Sequence, residues 1–299
     1  MRRIHADLIL LLTALIWGLA FIFQKTAMDH IGPLTFLSAR AIIAAIALAP
    51  LAWREGNARG GGLVPDRLWP IALVAGALFF IGGALQQIGL VTATVTNTGF
   101  LTGLYVVLVP LLGLALFREQ VTPIVWLAVA LAFVGTWLLG GGTLAGFGYG
   151  DWLVAVGAIF WAAHLHATKR SGHHARPVAF TFAQFVVIAV LAGIAAVVFE
   201  KVSFTSLYAA RVELAYVGLL SSALTFTLLA IAMRHTSAAE GSIIVSLEIL
   251  FAAFAAAILL GERLPLIGWI GALLMFSASL VVQIAAARTT KPEADKPAA

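Results

Sequence analysis

Among the ionisable side chains that stand inside long apolar runs of this chain are Arg40, His164 and Glu248. A carboxylate near the middle of an apolar helix is expensive in hydrocarbon, so it turns to the protein interior, where it can meet an amino group or take up a proton. Glu248 is therefore the first candidate for chemistry, with a buried acid held by a neighbouring helix as the plainer alternative. His164 can titrate near neutrality, although a lone His on an apolar face also serves as packing. His166 lies about 200° further round the helix, so the two do not make a metal pair. Arg40 needs a partner, for which Asp29, Glu248 or helix C-terminal carbonyls are available. Such pairing is its structural reading and carboxylate binding its functional one.

Polar groups in lipid are costly unless they face one another across an enclosed space. At helical spacing, Asn97, Leu101, Leu104, Tyr105 and Leu108 share one face, and Glu240, Ile244, Leu247, Glu248 and Phe251 share another. A third face carries Trp17, Phe21 and Gln24, and a fourth Trp161, His164, Leu165 and Thr168. With Phe79, Gly83 and Ser242 added, the candidate substrate-binding residues are Trp17, Phe21, Gln24, Phe79, Gly83, Asn97, Leu101, Tyr105, Trp161, His164, Ser242 and Glu248. An aromatic wall with a few polar anchors suits an amphipathic solute with an apolar or aromatic side chain better than a sugar or a multiply charged phosphate. No catalytic residue, metal ligand or cofactor site is expected, and the absence of cysteine removes disulfides and thiol nucleophiles.

The elements that must position these residues follow from composition. Of 299 residues 62% are hydrophobic and 10% charged, far from the roughly 25% charged usage of soluble domains. Apolar runs at 6–27, 33–53, 69–90, 97–117, 123–141, 150–169, 177–199, 212–233, 239–260 and 265–287 read as spanning helices. The first run lacks a small-residue cleavage site and reads as a retained span rather than a signal peptide. Lys and Arg are scattered singly, which argues against nucleic acid and for the anionic inner leaflet. With the N-terminus cytoplasmic, thirteen cations fall on inner segments and four on outer ones, which places both termini in the cytoplasm. Trp53, Trp69, Trp126, Trp152 and Trp269 read as interfacial anchors. Gly76, Gly82, Gly83, Gly89 and the Gly99/Gly103 pair read as close-packing positions that can also bend. Glu119-Gln120 and Glu262-Arg263 read as span-end residues placed to favour helix dipoles.

A repeat is the strongest internal signal. At an offset of 144, Trp17 falls on Trp161, Lys25 on Lys169, Pro33 on Pro177 and Arg40 on Gln184. At 143, Asn97 falls on Glu240, Tyr105 on Glu248, Glu119 on Glu262 and Trp126 on Trp269. Five is odd, so a second copy enters the membrane from the opposite side. The expected fold is all-α and integral to the membrane: ten helices as two inverted five-helix repeats, 1–145 and 146–288, and a cytoplasmic tail 289–299.

These residues resemble the EamA branch of the drug/metabolite transporter superfamily over nearly the whole chain. The resemblance is carried by Leu15-Ile16-Trp17-Gly18, Ser38-Ala39-Arg40, Phe100 to Pro110 leading to Arg118-Glu119, Phe160-Trp161-Ala162, Ser246-Leu247-Glu248 and Leu260 to Leu264. Ile249 stands where similar proteins often have Pro, which removes a proline kink from that helix. The resemblance implies a central cavity and export of amino acids, metabolites or drugs, with a bacterial amino-acid exporter of the YddG type as the specific relative it points to. The expected function is export of small amphipathic metabolites, chiefly aromatic or other apolar amino acids, by alternating access in the bacterial inner membrane. The partners are then a small-molecule substrate and the bilayer, with no nucleic acid, for a monomer. The alternatives are a multi-pass membrane enzyme, whose only candidates are His164, His166, His173 and His174; a scaffold without a polar-lined cavity; and a drug/cation or nucleotide-sugar carrier.

Overall fold

Long apolar segments leave backbone N–H and C=O groups no water to bond, so the chain satisfies them within helices. The computed structural model describes residues 3–59, 62–139, 141–143, 147–261, 263 and 266–289, and these contain helices and no strand. In order they are α1 (Arg3–Ala27), α2 (Pro33–Arg59), α3 (Trp69–Thr92), α4 (Val95–Phe117), α5 (Pro123–Leu139), α6 (Tyr149–Ser171), α7 (Pro177–Phe199), α8 (Arg211–Ala232), α9 (Ala238–Leu259) and α10 (Leu266–Thr289). A short helix, Phe204–Ala209, precedes α8. By length and composition, eight of the described helices can cross a membrane: α1 to α4 and α7 to α10. The shorter α5 is apolar too, and Asp151, His164, His166 and Lys169 make α6 more polar than α5. Arg2, Glu262 and residues 290–299 lie outside the described residues.

Proline opens α2, α5 and α7, where a missing N–H costs nothing. α4 ends on Arg118 in the left-handed conformation, φ 54°. At the matching place after α9, Gly261 takes φ 70° and avoids the cost of a Cβ there. Both α4 and α9 break in mid-course, at Gly103–Leu104 and at Ser246, which are 143 positions apart. Each break is a tightened turn: Val106 N–H donates to Gly103 O at 3.0 Å, and Ile249 N–H to Ser246 O at 3.0 Å. The second break forms with no proline beside it, Ile249 following Glu248.

Packing partners exchange between the halves. α3 runs along α6 and α8 along α1, while α2 packs on α7 and α5 on α10. Two carboxylate contacts fix the direction of α2 against α7, and a glycine contact that of α5 against α10. Glu55, near the end of α2, accepts the Ala179 N–H at the start of α7 (2.9 Å). Glu200, just after α7, accepts the Leu34 and Thr35 N–H groups at the start of α2 (2.8 Å each) and the Thr35 hydroxyl (2.6 Å). These reciprocal carboxylate caps require α2 and α7 to run antiparallel, and each acid meets the positive end of its partner's dipole. On α5 and α10, Gly135 lies against Gly271 and Met275, and Gly271 against Gly135 and Leu139, again antiparallel. A Cβ at either glycine would strike the other helix's backbone, so only glycine permits this approach.

Outward faces are apolar and exposed, as at Ile46, Leu116, Val197 and Leu273. Trp53, Trp152 and Trp269 are exposed near helix ends. Trp69 and Trp126 instead pack against interior clusters.

Candidate functional site

The interior cavity is lined from both halves of the chain: Trp17, Phe21 and Gln24 from α1, Arg40 from α2, Gln86 from α3, and Thr102 and Tyr105 from α4. Facing them are Trp161, His164 and Leu165 of α6, Ser221, Phe226 and Leu229 of α8, and Val245 and Glu248 of α9. Space open to water-sized molecules is about 50 Å³, enough for a handful of waters at roughly 10–15 Å³ each. A larger solute requires the walls to part.

At the centre, the Tyr105 hydroxyl donates to Glu248 Oε1 at 3.0 Å. Both are at most 4% exposed. They are positions 143 apart, so each half contributes its equivalent residue to this bond. Trp17 and Trp161, and Phe21 and Leu165, are likewise corresponding pairs.

The aromatic part is assembled around Phe79, whose ring centre lies 4.8 Å from Trp161, 4.9 Å from Phe226 and 5.6 Å from His164. Offset and edge-on rings at these separations add attraction beyond simple burial. Trp17 stacks obliquely on Phe226 at 4.7 Å, and its indole N–H is shared between Ser221 O (3.0 Å) and Thr225 Oγ (2.7 Å). That draw on the Ser221 carbonyl falls within a π-helical stretch, Tyr216–Leu224. Such widened turns concentrate at functional sites. His164 Nε2 lies 2.9 Å from the Gln184 side-chain oxygen.

The polar part lies toward the end where α1 finishes. Arg40 Nε donates to Ser222 Oγ at 3.0 Å, and its Nη1 reaches Gln24 Oε1 at 3.5 Å. Gln86 Nε2 also approaches Gln24 Oε1 (3.5 Å), and the Thr102 hydroxyl donates to Gln86 Oε1 (3.3 Å). None of the carboxylates weighed from sequence pairs with Arg40; neutral side chains do.

Polar ties join the helices at both ends of the bundle. Where α1 finishes, Asn97 Nδ2 donates to Asp151 Oδ1 at 3.1 Å, and Lys25 Nζ donates to the carbonyls of Leu90, Val91 and Ala93 at the end of α3. Where α1 begins, Arg3 bridges Asp7 (2.8 Å) and Glu240 (3.2 Å), and Lys169 Nζ donates to Met233 O and Thr236 O at the end of α8. Asn97 and Glu240, Asp7 and Asp151, and Lys25 and Lys169 are corresponding positions at offsets of 143 and 144, whereas Arg3 falls on Phe147 and bridges one end alone. Thr94 and Ser237 cap the starts of α4 and α9 in the same equivalent way. Outside the membrane core, the neighbouring His235 sits below its ordinary range, because burial and the cations Arg234 and Lys169 disfavour its charged form.

Of the candidate residues, the cavity brings together Trp17, Phe21, Gln24, Tyr105, Trp161, His164 and Glu248. Phe79 stands one layer behind the wall, and Gly83 packs against Phe79 and Leu37. Asn97 is at a polar tie, and Leu101 is buried in a side cluster with Phe100 and Val154. Ser242 is buried and donates to Ala239 O at 2.7 Å. Sequence reasoning did not reach Gln86, Thr102, Ser221, Phe226, Leu229 or Val245. Extending the offset of 143 to the lining would have found three pairs: Gly83 with Phe226, Gln86 with Leu229 and Thr102 with Val245. His166 turns away from the cavity and bonds Val109 O at 2.8 Å, with Glu119 near its other nitrogen.

The EamA-like transporter family pattern matches residues 4–141 and again 148–284. The chain belongs to the EamA-like transporter family. It is a multi-pass membrane transporter, and the family pattern falls once on each half of the bundle. An uncharacterized transporter of Archaeoglobus fulgidus is 29% identical over 288 residues, covering 95% of this EamA-family chain and 87% of that protein. A solved crystal structure shares the fold at a TM-score of 0.77 with 18% identity, over 97% of this chain and 100% of that one.

Proposed function

We propose that this EamA-family transporter exports small amphipathic metabolites, chiefly amino acids with aromatic or other apolar side chains, by alternating access in the inner membrane of a bacterium. The observation that carries this reading is one cavity lined by corresponding residues of the two halves, with α2 antiparallel to its counterpart α7 and α5 to α10, and with polar ties at both ends of the bundle. Two halves built alike have two mirror-related arrangements of similar energy, and exchanging them opens the cavity first to one side and then to the other. The cavity pairs aromatic rings with a carboxylate, Glu248, and a guanidinium, Arg40. That combination fits a solute with an apolar body and a small charged head. A nucleotide sugar would call for several cations, and among the described residues the lining has one, Arg40.

In this reading 1–145 and 146–288 are inverted repeats. Ten helices span, including α5 and α6, both termini face the cytoplasm, and the unit is a monomer. The distribution of Lys and Arg supports that orientation. Counterflow into proteoliposomes tests the function: Glu248→Gln and Trp161→Ala each reduce flux of L-phenylalanine or L-leucine while the folded yield stays unchanged. Wild-type flux in both variants defeats the site.

A further inference from the structure

The two ends of the cavity occupy equivalent positions yet carry different chemistry. Gln86 and Thr102 stand at one end where Leu229 and Val245 stand at the other, and Gly83 corresponds to Phe226. Arg40 corresponds to Gln184, which sits neutral and fully buried against His164. The fold therefore does not require a cation at this place in the repeat. Arg40 is 5% exposed, holds one firm bond to the Ser222 hydroxyl, and lies 5.6 Å over the Phe79 ring. Among the described residues no ion pair includes it. A guanidinium offers five donors in a fork that matches a carboxylate, and an unpaired one within a membrane is costly. A solute that brings the anion offsets that cost.

Resting on the transport reading above, we propose that Arg40 is a specificity-determining residue that selects solutes bearing a carboxylate. The carboxylate seats at the polar end with Arg40, Gln24 and Gln86. The apolar part lies toward Phe226, Leu229 and Val245, and Glu248, between them, receives an ammonium group when the solute has one. The solute is thus held in one orientation, a consequence of the asymmetric lining that a symmetric cavity would lack.

Binding of L-phenylalanine, 3-phenylpropionate and 2-phenylethylamine to the purified full chain, followed by quenching of tryptophan fluorescence, tests this. Trp17 and Trp161 are part of the wall and report on it. The two carboxylates bind the wild type at least about tenfold more tightly than the amine, the size expected for one charge-assisted pair. Arg40→Gln abolishes that preference by weakening binding of the two carboxylates, and the variant still binds 2-phenylethylamine, which a general loss of structure would not allow. Arg40→Lys keeps part of the preference. Where Arg40→Gln does not fold, Arg40→Lys and Ser222→Ala carry the test through a reduced preference. Equal binding of acid and amine to the wild type, or a full acid preference in Arg40→Gln, overturns the role of Arg40 and leaves the transport reading standing. No binding of any of the three overturns the amphipathic-solute reading itself, and the selectivity with it.

Discussion

If the two polar ties hold alternate ends shut, weakening either one opens its own end and closes the other. Glu240→Gln removes the charge that meets Arg3 at 3.2 Å while keeping an oxygen for the Ser237 cap. The side chains of this pair are 18% and 20% exposed, so its contribution is modest, about 1 kcal/mol. That is roughly a fivefold shift in a two-state equilibrium at 0.59 kcal/mol per RT. Asn97→Ala removes the 3.1 Å bond to Asp151 at the opposite end, a charge-assisted bond of the same order, about 1 kcal/mol. The chain has no cysteine, so a single introduced one reads out without background. Thr102→Cys and Val245→Cys are equivalent positions near opposite ends, and in nanodiscs a polar maleimide reaches both faces. Glu240→Gln is expected to raise the labelling rate at Val245→Cys about fivefold and lower it at Thr102→Cys, and Asn97→Ala to do the reverse. Both reporters rising together in either variant, or neither moving, refutes the reasoning, since it would mean loosening or irrelevance rather than exchange.

Other expectations follow from local contacts. Glu200→Gln weakens three hydrogen bonds to the start of α2 and lowers the unfolding midpoint in detergent by a few degrees, for a loss of about 1–2 kcal/mol; an unchanged midpoint contradicts the reciprocal cap. Gly135→Leu drives α5 from α10, because no side chain fits against the Gly271 backbone, and size-exclusion profiles show loss of folded protein. Trp17→Phe surrenders two acceptors, whereas the Trp161 indole N–H has no partner among the described residues. Trp17→Phe therefore costs about 1–2 kcal/mol of thermal stability and Trp161→Phe little, and equal losses argue against this assignment of bonds.

Much of the framework is written along the chain. Helix beginnings are marked by Pro33, Pro123 and Pro177, and helix ends by polar or glycine breaks, because backbone in lipid has no alternative to helix. The offsets that pair Trp17 with Trp161 and Tyr105 with Glu248 identify the lining before any coordinates are known. Gln86 and Thr102 escaped because isolated amide and hydroxyl groups in apolar helices are common, and only their repeat partners Leu229 and Val245 mark them as cavity positions.

Helical spacing alone put Asn97, Leu101 and Tyr105 on one face, and here the chain's local pattern misleads. The tightened turn at Gly103–Leu104 resets the phase of α4, sending Tyr105 to the cavity, Asn97 to a polar tie and Leu101 into a side cluster. Composition and order thus determined a membrane-embedded, doubled helical chain, since those depend on apolar length and on residues equivalent at a fixed offset. Which side chains meet was decided by tertiary packing. Arg40 took neutral partners rather than an acid, and Tyr105 met Glu248, because helix breaks and antiparallel docking fix directions in space that no one-dimensional spacing contains.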